Sequence, residues 1–354
     1  MKMTRILPAL AAAAAALLFV LGITAYLWRS EGPQPFMIAT ANPYASEAGA
    51  QILRAGGSAV DAAIAVQAVL SLVEPESSGL AGGAFMLHFD SASGRLEAYD
   101  GRETAPAGAT PQLFLDEEGK PLPFLEAMIG GSSVGTPGAV KMLWLAHGEH
   151  GVLPWADLFK PAIRLAEEGF AVPPKLAEAI ARDPDLMNMP VAQDYFYRLN
   201  PDGSCVPAQQ GDTLKNPAYA ATLKRIASEG PDGFYSGPVA QAIVDAVQNA
   251  PARPGTLSLD DLASYEAKKR EPVCALYRAY RVCSMPPPTS GGLTALQILG
   301  ILQNYDLNGM GPMTLTSVHF IAEAEKLAYA DRDKYIGDPD FVDVPVEAML
   351  DPGY

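Results

Sequence analysis

Residues 6–28 carry no charge, and that constrains what the chain can become more than any other stretch. Lys2 and Arg5 precede the run, Tyr26 and Trp28 close it, and Arg29 follows. As a helix, such a run is long enough to cross a bilayer core of about 30 Å, with the two aromatics at the interface. It has no polar face, so a buried amphipathic helix is a poor account of it. The end reads Tyr-Leu-Trp-Arg-Ser, without the small-x-small pattern of a cleavage site. The expectation is therefore a signal anchor over residues 1–29, with a cleaved and secreted product as the alternative. Positive residues before the span stay in the cytoplasm, which puts the body on the extracytoplasmic side, membrane-anchored. Residues 30–35 read as a linker and 36–354 as one region.

The body is long enough for a substantial core. The sequence is 49% apolar and 18% charged, which excludes wholesale disorder. Its 25 basic and 40 acidic residues leave a net charge of −15, and no basic cluster is present to bind nucleic acid. Residues 36–41 could form a strand. Helices are expected over 43–55, ended by Gly56-Gly57, and over 59–73, capped by Ser58. A glycine-rich turn at 77–83 leads into strand 84–89, a loop at 91–94 and a returning strand 95–99. The middle reads as helices at 137–147, 155–168, 174–182, 217–228 and 239–249. A hairpin over 272–285, a rigid turn at 286–292, a helix to 302 and another over 316–335 complete the reading.

Several patterns invite chemistry. Gly131-Ser132-Ser133-Val134-Gly135 fits a nucleophile elbow, with Ser133 as nucleophile and His319 as the distant histidine. The pattern is short and glycine is abundant, so a structural turn is the simpler account. His147 and His150 lack an adjacent third ligand, which reads as solvated helix-end histidines and no metal. Asp331, Asp333, Asp338, Asp340 and Asp343 miss the calcium-loop spacing, since Tyr335 and Gly337 fall in the wrong places. Gly79–83 leads into a strand instead of a helix N-terminus, which argues against a phosphate cradle. No pattern calls for a cofactor. Arg102 stands apart: it follows the returning strand beside Gly101, where a guanidinium can grip a carboxylate in a bidentate fork. A local ion pair with Asp100 or Glu103 is the alternative.

Counting outward from a two-residue loop at Arg278-Ala279 places Cys274 opposite Cys283 in a non-hydrogen-bonded pair. Cα atoms then approach to about 4.5 Å, close enough for a disulfide. Cys205 is left without a partner.

Taken together, the motifs resemble the gamma-glutamyltransferases, or glutathione hydrolases. They run in order along the body: Asn42-Pro-Tyr-Ala-Ser-Glu-Ala-Gly49, Gly56-Gly-Ser-Ala-Val-Asp-Ala-Ala63 and Glu74-Pro-Glu-Ser-Ser-Gly-Leu-Ala-Gly-Gly83. Then come Gly101-Arg-Glu-Thr-Ala-Pro106, Val134-Gly-Thr-Pro-Gly138, Phe234-Tyr-Ser-Gly237, Met285-Pro-Pro-Pro-Thr-Ser-Gly-Gly292 and Ala322-Glu-Ala-Glu-Lys-Leu-Ala-Tyr-Ala-Asp-Arg332. The resemblance implies an α+β fold, the four-layer αββα sandwich of N-terminal-nucleophile hydrolases. It implies a precursor that cuts itself into two subunits, the small one beginning with the nucleophilic threonine. The substrate is a γ-glutamyl amide such as glutathione, and the acceptor is water, an amino acid or a peptide. The carboxylate-binding arginine of the family falls on Arg102, and Ser133 becomes part of a turn. The family's Thr-Thr-His-x-Ser motif occurs nowhere here. The nucleophile is thus expected downstream of Tyr354, the chain alone is expected to be inactive, and no catalytic residue is assigned within it. A related cephalosporin-type acylase and a non-catalytic membrane-anchored binding protein are the alternatives.

Overall fold

Two capped helices begin the architecture of residues 36–354, which the computed structural model describes. The signal anchor and linker expected over 1–35 lie outside the described residues. Among the described residues, no helix is long and apolar enough to cross a membrane.

Residues 36–41 form no strand. The Thr40 hydroxyl donates to the Asn42 carbonyl and accepts from the Asn42 amide, so the backbone bends locally into a helix cap. Helix α1 (Pro43–Arg54) starts there, with the Asn42 side chain accepting from the Tyr44 amide and Pro43 in the first turn. Gly56, at φ +88°, ends it. Helix α2 (Ala59–Val73) carries a reciprocal cap between Ser58 and Asp61. Its Ala, Val, Ile and Leu side chains leave it buried on most sides, against α1 and its neighbours.

Strands β1 (Ala84–Asp90) and β2 (Arg95–Gly101) form an antiparallel hairpin in which His88 faces Glu97 and Ala84 faces Gly101. Helix α3 (Ala139–His150) packs on one face of this hairpin and against α2. Strand alternation puts Leu87 and Phe89 on the opposite face from His88, and both are exposed.

The helix expected over 155–168 is broken. Pro161 has no N–H, and its ring clashes with the carbonyl of Asp157, so the chain makes a short helix, Trp155–Leu158, and then α4 (Lys160–Glu168). The other central helices lie close to expectation, among them Pro174–Arg182, α5 (Pro217–Glu229) and α6 (Gly237–Gln248). Strand β3 (Lys268–Arg270) adds to β2, opposing Lys269 to Tyr99, and makes a three-stranded sheet in the order β1-β2-β3.

A second hairpin follows, β4 (Val273–Tyr277) and β5 (Tyr280–Ser284), in the expected register. Cys274 and Cys283 are disulfide-bonded across it, with Cα atoms 4.1 Å apart, and Cys205 is free. Arg278 supplies the positive φ of the turn, where glycine was the expected residue. After the Pro-Pro-Pro turn, α7 (Gly291–Leu302) packs on this hairpin, and α8 (Leu315–Tyr335) packs on α7.

Candidate functional site

The end of β2 and the start of α3 meet in a corner built from glycines. The Gly82 carbonyl accepts from the amides of both Gly138 and Ala139 at 3.0 Å. The glycine-rich turn thus satisfies helix-end donors. That is the use of Gly79–83, in place of a phosphate cradle. A Cβ at Gly101 would stand 2.5 Å from the Met142 Cβ, and one at Gly138 would run into the Tyr265 hydroxyl. Only glycine allows this approach of strand to helix. Thr104 and Thr136 exchange backbone hydrogen bonds just beyond, at 2.8 and 3.3 Å.

Arg102 leaves this corner with its main chain held on both sides. Its amide donates to Asp100 Oδ1 at 2.9 Å, and its carbonyl accepts from the Tyr265 hydroxyl at 2.8 Å. Burial and then the charges of Asp100 and Glu103 push the Tyr265 phenol well above its usual range, so it remains a donor. The Arg102 side chain is exposed and, among the described residues, has no carboxylate within ion-pair distance. Asp100 and Glu103 are both engaged elsewhere. Asp100 Oδ2 is bonded to Arg270 Nε at 2.6 Å, and Arg270 in turn grips Asp340 at 2.8 and 3.2 Å. Glu103 lies over Gly82 and Gly83, where a Cβ at Gly83 would strike its carboxylate. The guanidinium is therefore available to an outside anion. A cleft of about 1140 Å³ lies elsewhere, between residues 269–274 and 339–352, and Arg102 does not line it.

Ser133 is not a nucleophile elbow. The residues before it form a short helix, Phe124–Met128, where the elbow requires a strand. Its hydroxyl donates to the carbonyls of Met128 at 2.7 Å and Gly130 at 3.0 Å. The turn is pinned instead to residues 252 and 253, which accept from the amides of Gly131 and Ser132. The serine-hydrolase alternative falls with this geometry. His319 lies on α8 with its ring edge-on to Phe320.

The acidic run is dispersed. Asp340 pairs with Arg270 and Lys268, Asp333 with Arg332, and Asp331 accepts from Gln297 and Tyr354.

The histidines depart from expectation. His147 Nε2 lies 3.0 Å from the Leu153 carbonyl, and both His147 and His150 are mostly shielded from solvent. His150 does have further potential ligands beside it, namely His88 and Glu97. The His88–Glu97 half was open to sequence reasoning, because the 91–94 loop fixes their register; the approach of His150 depends on helix-to-sheet packing.

Comparison with known proteins agrees with this architecture. The family described as Gamma-glutamyltranspeptidase matches residues 45–354. The chain belongs to the gamma-glutamyltranspeptidase family. It is 42% identical over 318 residues to the glutathione hydrolase proenzyme of Bacillus subtilis strain 168, an alignment covering 90% of this chain and 53% of that protein. It is 40% identical over 330 residues to the acylase ACY 1 proenzyme of Pseudomonas sp. strain SE83, covering 90% and 56%. The crystal structure of Helicobacter pylori gamma-glutamyltranspeptidase superposes with a TM-score of 0.85 at 35% identity, covering 91% of this chain and 90% of that one. The chain thus spans about half the length of the curated relatives it matches, but nearly all of a crystallised family chain. In this gamma-glutamyltranspeptidase region, the glycine motifs are the ones that build the corner behind Arg102.

Proposed function

We propose that this chain is the larger portion of an enzyme that hydrolyses or transfers γ-glutamyl groups, with Arg102 as the anchor for the substrate α-carboxylate. The observation that carries the reading is the Arg102 guanidinium itself, exposed and, among the described residues, without a carboxylate partner, on a main chain held at both its amide and its carbonyl. Two parallel N–H···O bonds to a carboxylate are what such a group offers. In this reading the amide carbonyl is attacked by an N-terminal threonine outside this chain, whose own α-amine takes the proton. The C–N bond breaks, the leaving amine carries the proton away, and water or an acceptor amine resolves the acyl ester.

The coverage contrast supports a precursor that ends as two chains. The same residues span 53% of a protein named as a proenzyme and 90% of a crystallised family chain. The second portion would complete the αββα sandwich by covering the face of the sheet that exposes Leu87 and Phe89. A body outside the cytoplasm, anchored by residues 1–29, fits the Cys274–Cys283 pairing, because disulfides persist in oxidising compartments.

The acylase relative keeps a second reading open. At 40% identity it is nearly as similar as the glutathione hydrolase. Arg102 favours an acyl group that carries a carboxylate, such as the γ-glutamyl group, and residues beyond Tyr354 decide between the two readings. In the protein expressed with the coding region downstream of Tyr354, Arg102→Ala lowers kcat/KM for γ-glutamyl-p-nitroanilide by roughly 10- to 100-fold, with Arg102→Lys recovering part of the loss. Unchanged kinetics in Arg102→Ala defeats the assignment. The chain alone turns over none of this substrate, and the longer protein does so while cutting itself into two bands.

A further inference from the structure

At the far end of the hairpin from Arg102, three side chains converge that the reaction does not use. His88 comes from β1, Glu97 from the facing position on β2, and His150 from the last residue of α3. One donor atom from each lies within 4.8 Å of the other two. His88 Nδ1 stands 3.6 Å from Glu97 Oε2, and His150 Nε2 stands 2.8 Å from it. These values bracket the roughly 3.4 Å between neighbouring ligand atoms of a tetrahedral site with bonds of about 2.0–2.1 Å.

Among the described residues, two of these atoms have no hydrogen-bond partner. Glu97 is 7% exposed, yet its Oε2 has no hydrogen bond, the contact with His150 lacking hydrogen-bond geometry. His88 Nδ1 is likewise buried with no partner. Buried polar atoms of this kind are costly unless something satisfies them. The other oxygen, Glu97 Oε1, is engaged by Arg95 at 2.9 Å and Lys269 at 2.6 Å. With Oε1 held by these two cations, only Oε2 is left free to face the two imidazoles. Lys269 also bonds Glu149 at 2.6 Å, which leaves the surroundings close to charge balance before a cation is added. The C-terminal end of α3 adds the negative end of a helix dipole.

We infer that His88, Glu97 and His150 form a binding site for a divalent transition-metal ion of the zinc type, which ties the β1–β2 hairpin to the end of α3. Two imidazoles and one carboxylate are borderline donors that suit such an ion better than calcium or magnesium. Water supplies the fourth ligand. The Tyr99 hydroxyl now lies 2.8 Å from His150 Nε2, and that contact gives way to the metal while Tyr99 keeps its hydrogen bond to Glu149 at 2.8 Å. The role is structural and independent of the reaction proposed above.

Zn²⁺ alone is the probe. The full chain, purified without a polyhistidine tag, stripped with chelator and dialysed against Zn²⁺, retains about one equivalent by elemental analysis. His88→Ala and Glu97→Gln each weaken retention by roughly 10- to 100-fold or more, while Tyr99→Phe stays near the unaltered chain. Substituting Co²⁺ gives the visible absorption of a tetrahedral site, which shows the ligand set in the unaltered chain even if a variant fails to fold. Absence of stoichiometric Zn²⁺ in the unaltered chain, retention unchanged in both ligand variants, or a Co²⁺ spectrum of the free aqueous ion overturns the inference.

Discussion

Helices α2 and α8 are built from opposite arrangements. Nine of the 15 residues of α2 are buried, and its apolar side chains meet neighbours within this chain. In α8, which packs on α7, only Ser317, Ala324 and Ala328 of 21 residues are buried. The large apolar residues of α8 point outward, Leu315 at 87% exposure and Leu327 at 62%. Burial here follows which neighbours exist, not which residues are apolar. The first helix is covered within the chain, and the second leaves large apolar side chains exposed, as expected if the proposed second portion of the protein packs there.

The largest test of that contrast lies in α2. Ile64 is fully buried, and Ile64→Ala should cost about 2–5 kcal/mol in denaturant unfolding, through lost burial and a residual cavity. A loss below 1 kcal/mol would mean that the N-terminal core is as loose as the outer face of α8.

Next comes the buried link behind α1 and α2. Glu74 accepts from Asn42 Nδ2 and Lys175 Nζ, both at 2.7 Å. Glu74→Gln can keep one of these and turns a donor toward the other, so a loss of about 1–3 kcal/mol is expected. A neutral result in thermal unfolding would show that water already serves this site.

Acid stability probes the C-terminal half. Hydrogen bonds from Arg270 and then Lys268 hold the Asp340 carboxyl well below the usual range. A depressed folded-state value means that the contribution is complete above the unfolded value of about 3.9 and disappears as pH falls through the folded one. Asp340→Asn should therefore be less stable at neutral pH and show a shallower loss below about pH 4. Parallel acid-unfolding curves for the two proteins would remove Asp340 from the account.

The smallest effect is expected on the outer face of α8. Leu327→Ser should change the stability of this chain by no more than about 0.5 kcal/mol while reducing its self-association in light scattering. In the protein with its downstream portion restored, the same change should become costly. A large loss in the short chain would show that α8 is already covered.

Local chemistry made much of this architecture legible. Ser58 announces a helix because its side chain satisfies an end amide, and the β4–β5 register follows from counting around Arg278-Ala279. Apolarity alone misled at residues 36–41, where the Thr40–Asn42 bonds win, and at Phe159, where Pro161 breaks a helix that otherwise has the right period. The pairing of β3 with β2 was not legible, since a three-residue basic strand carries no pattern that names its partner. Arg102 was readable as a strand-end guanidinium. What frees it, the capture of Asp100 by Arg270, is a contact distant in sequence.

The shared acceptor in the glycine corner has a kinetic consequence. Because Gly82 holds the amides of Gly138 and Ala139 together, neither can exchange its hydrogen with solvent unless turn and helix separate. Those two amides should be among the slowest to exchange near the surface, reporting on one cooperative opening. The main chain of Arg102 is tied to the same joint through Gly101 and Tyr265. On the role proposed for Arg102, an incoming anion would find its main chain already fixed and only the exposed side chain's rotamers left to order.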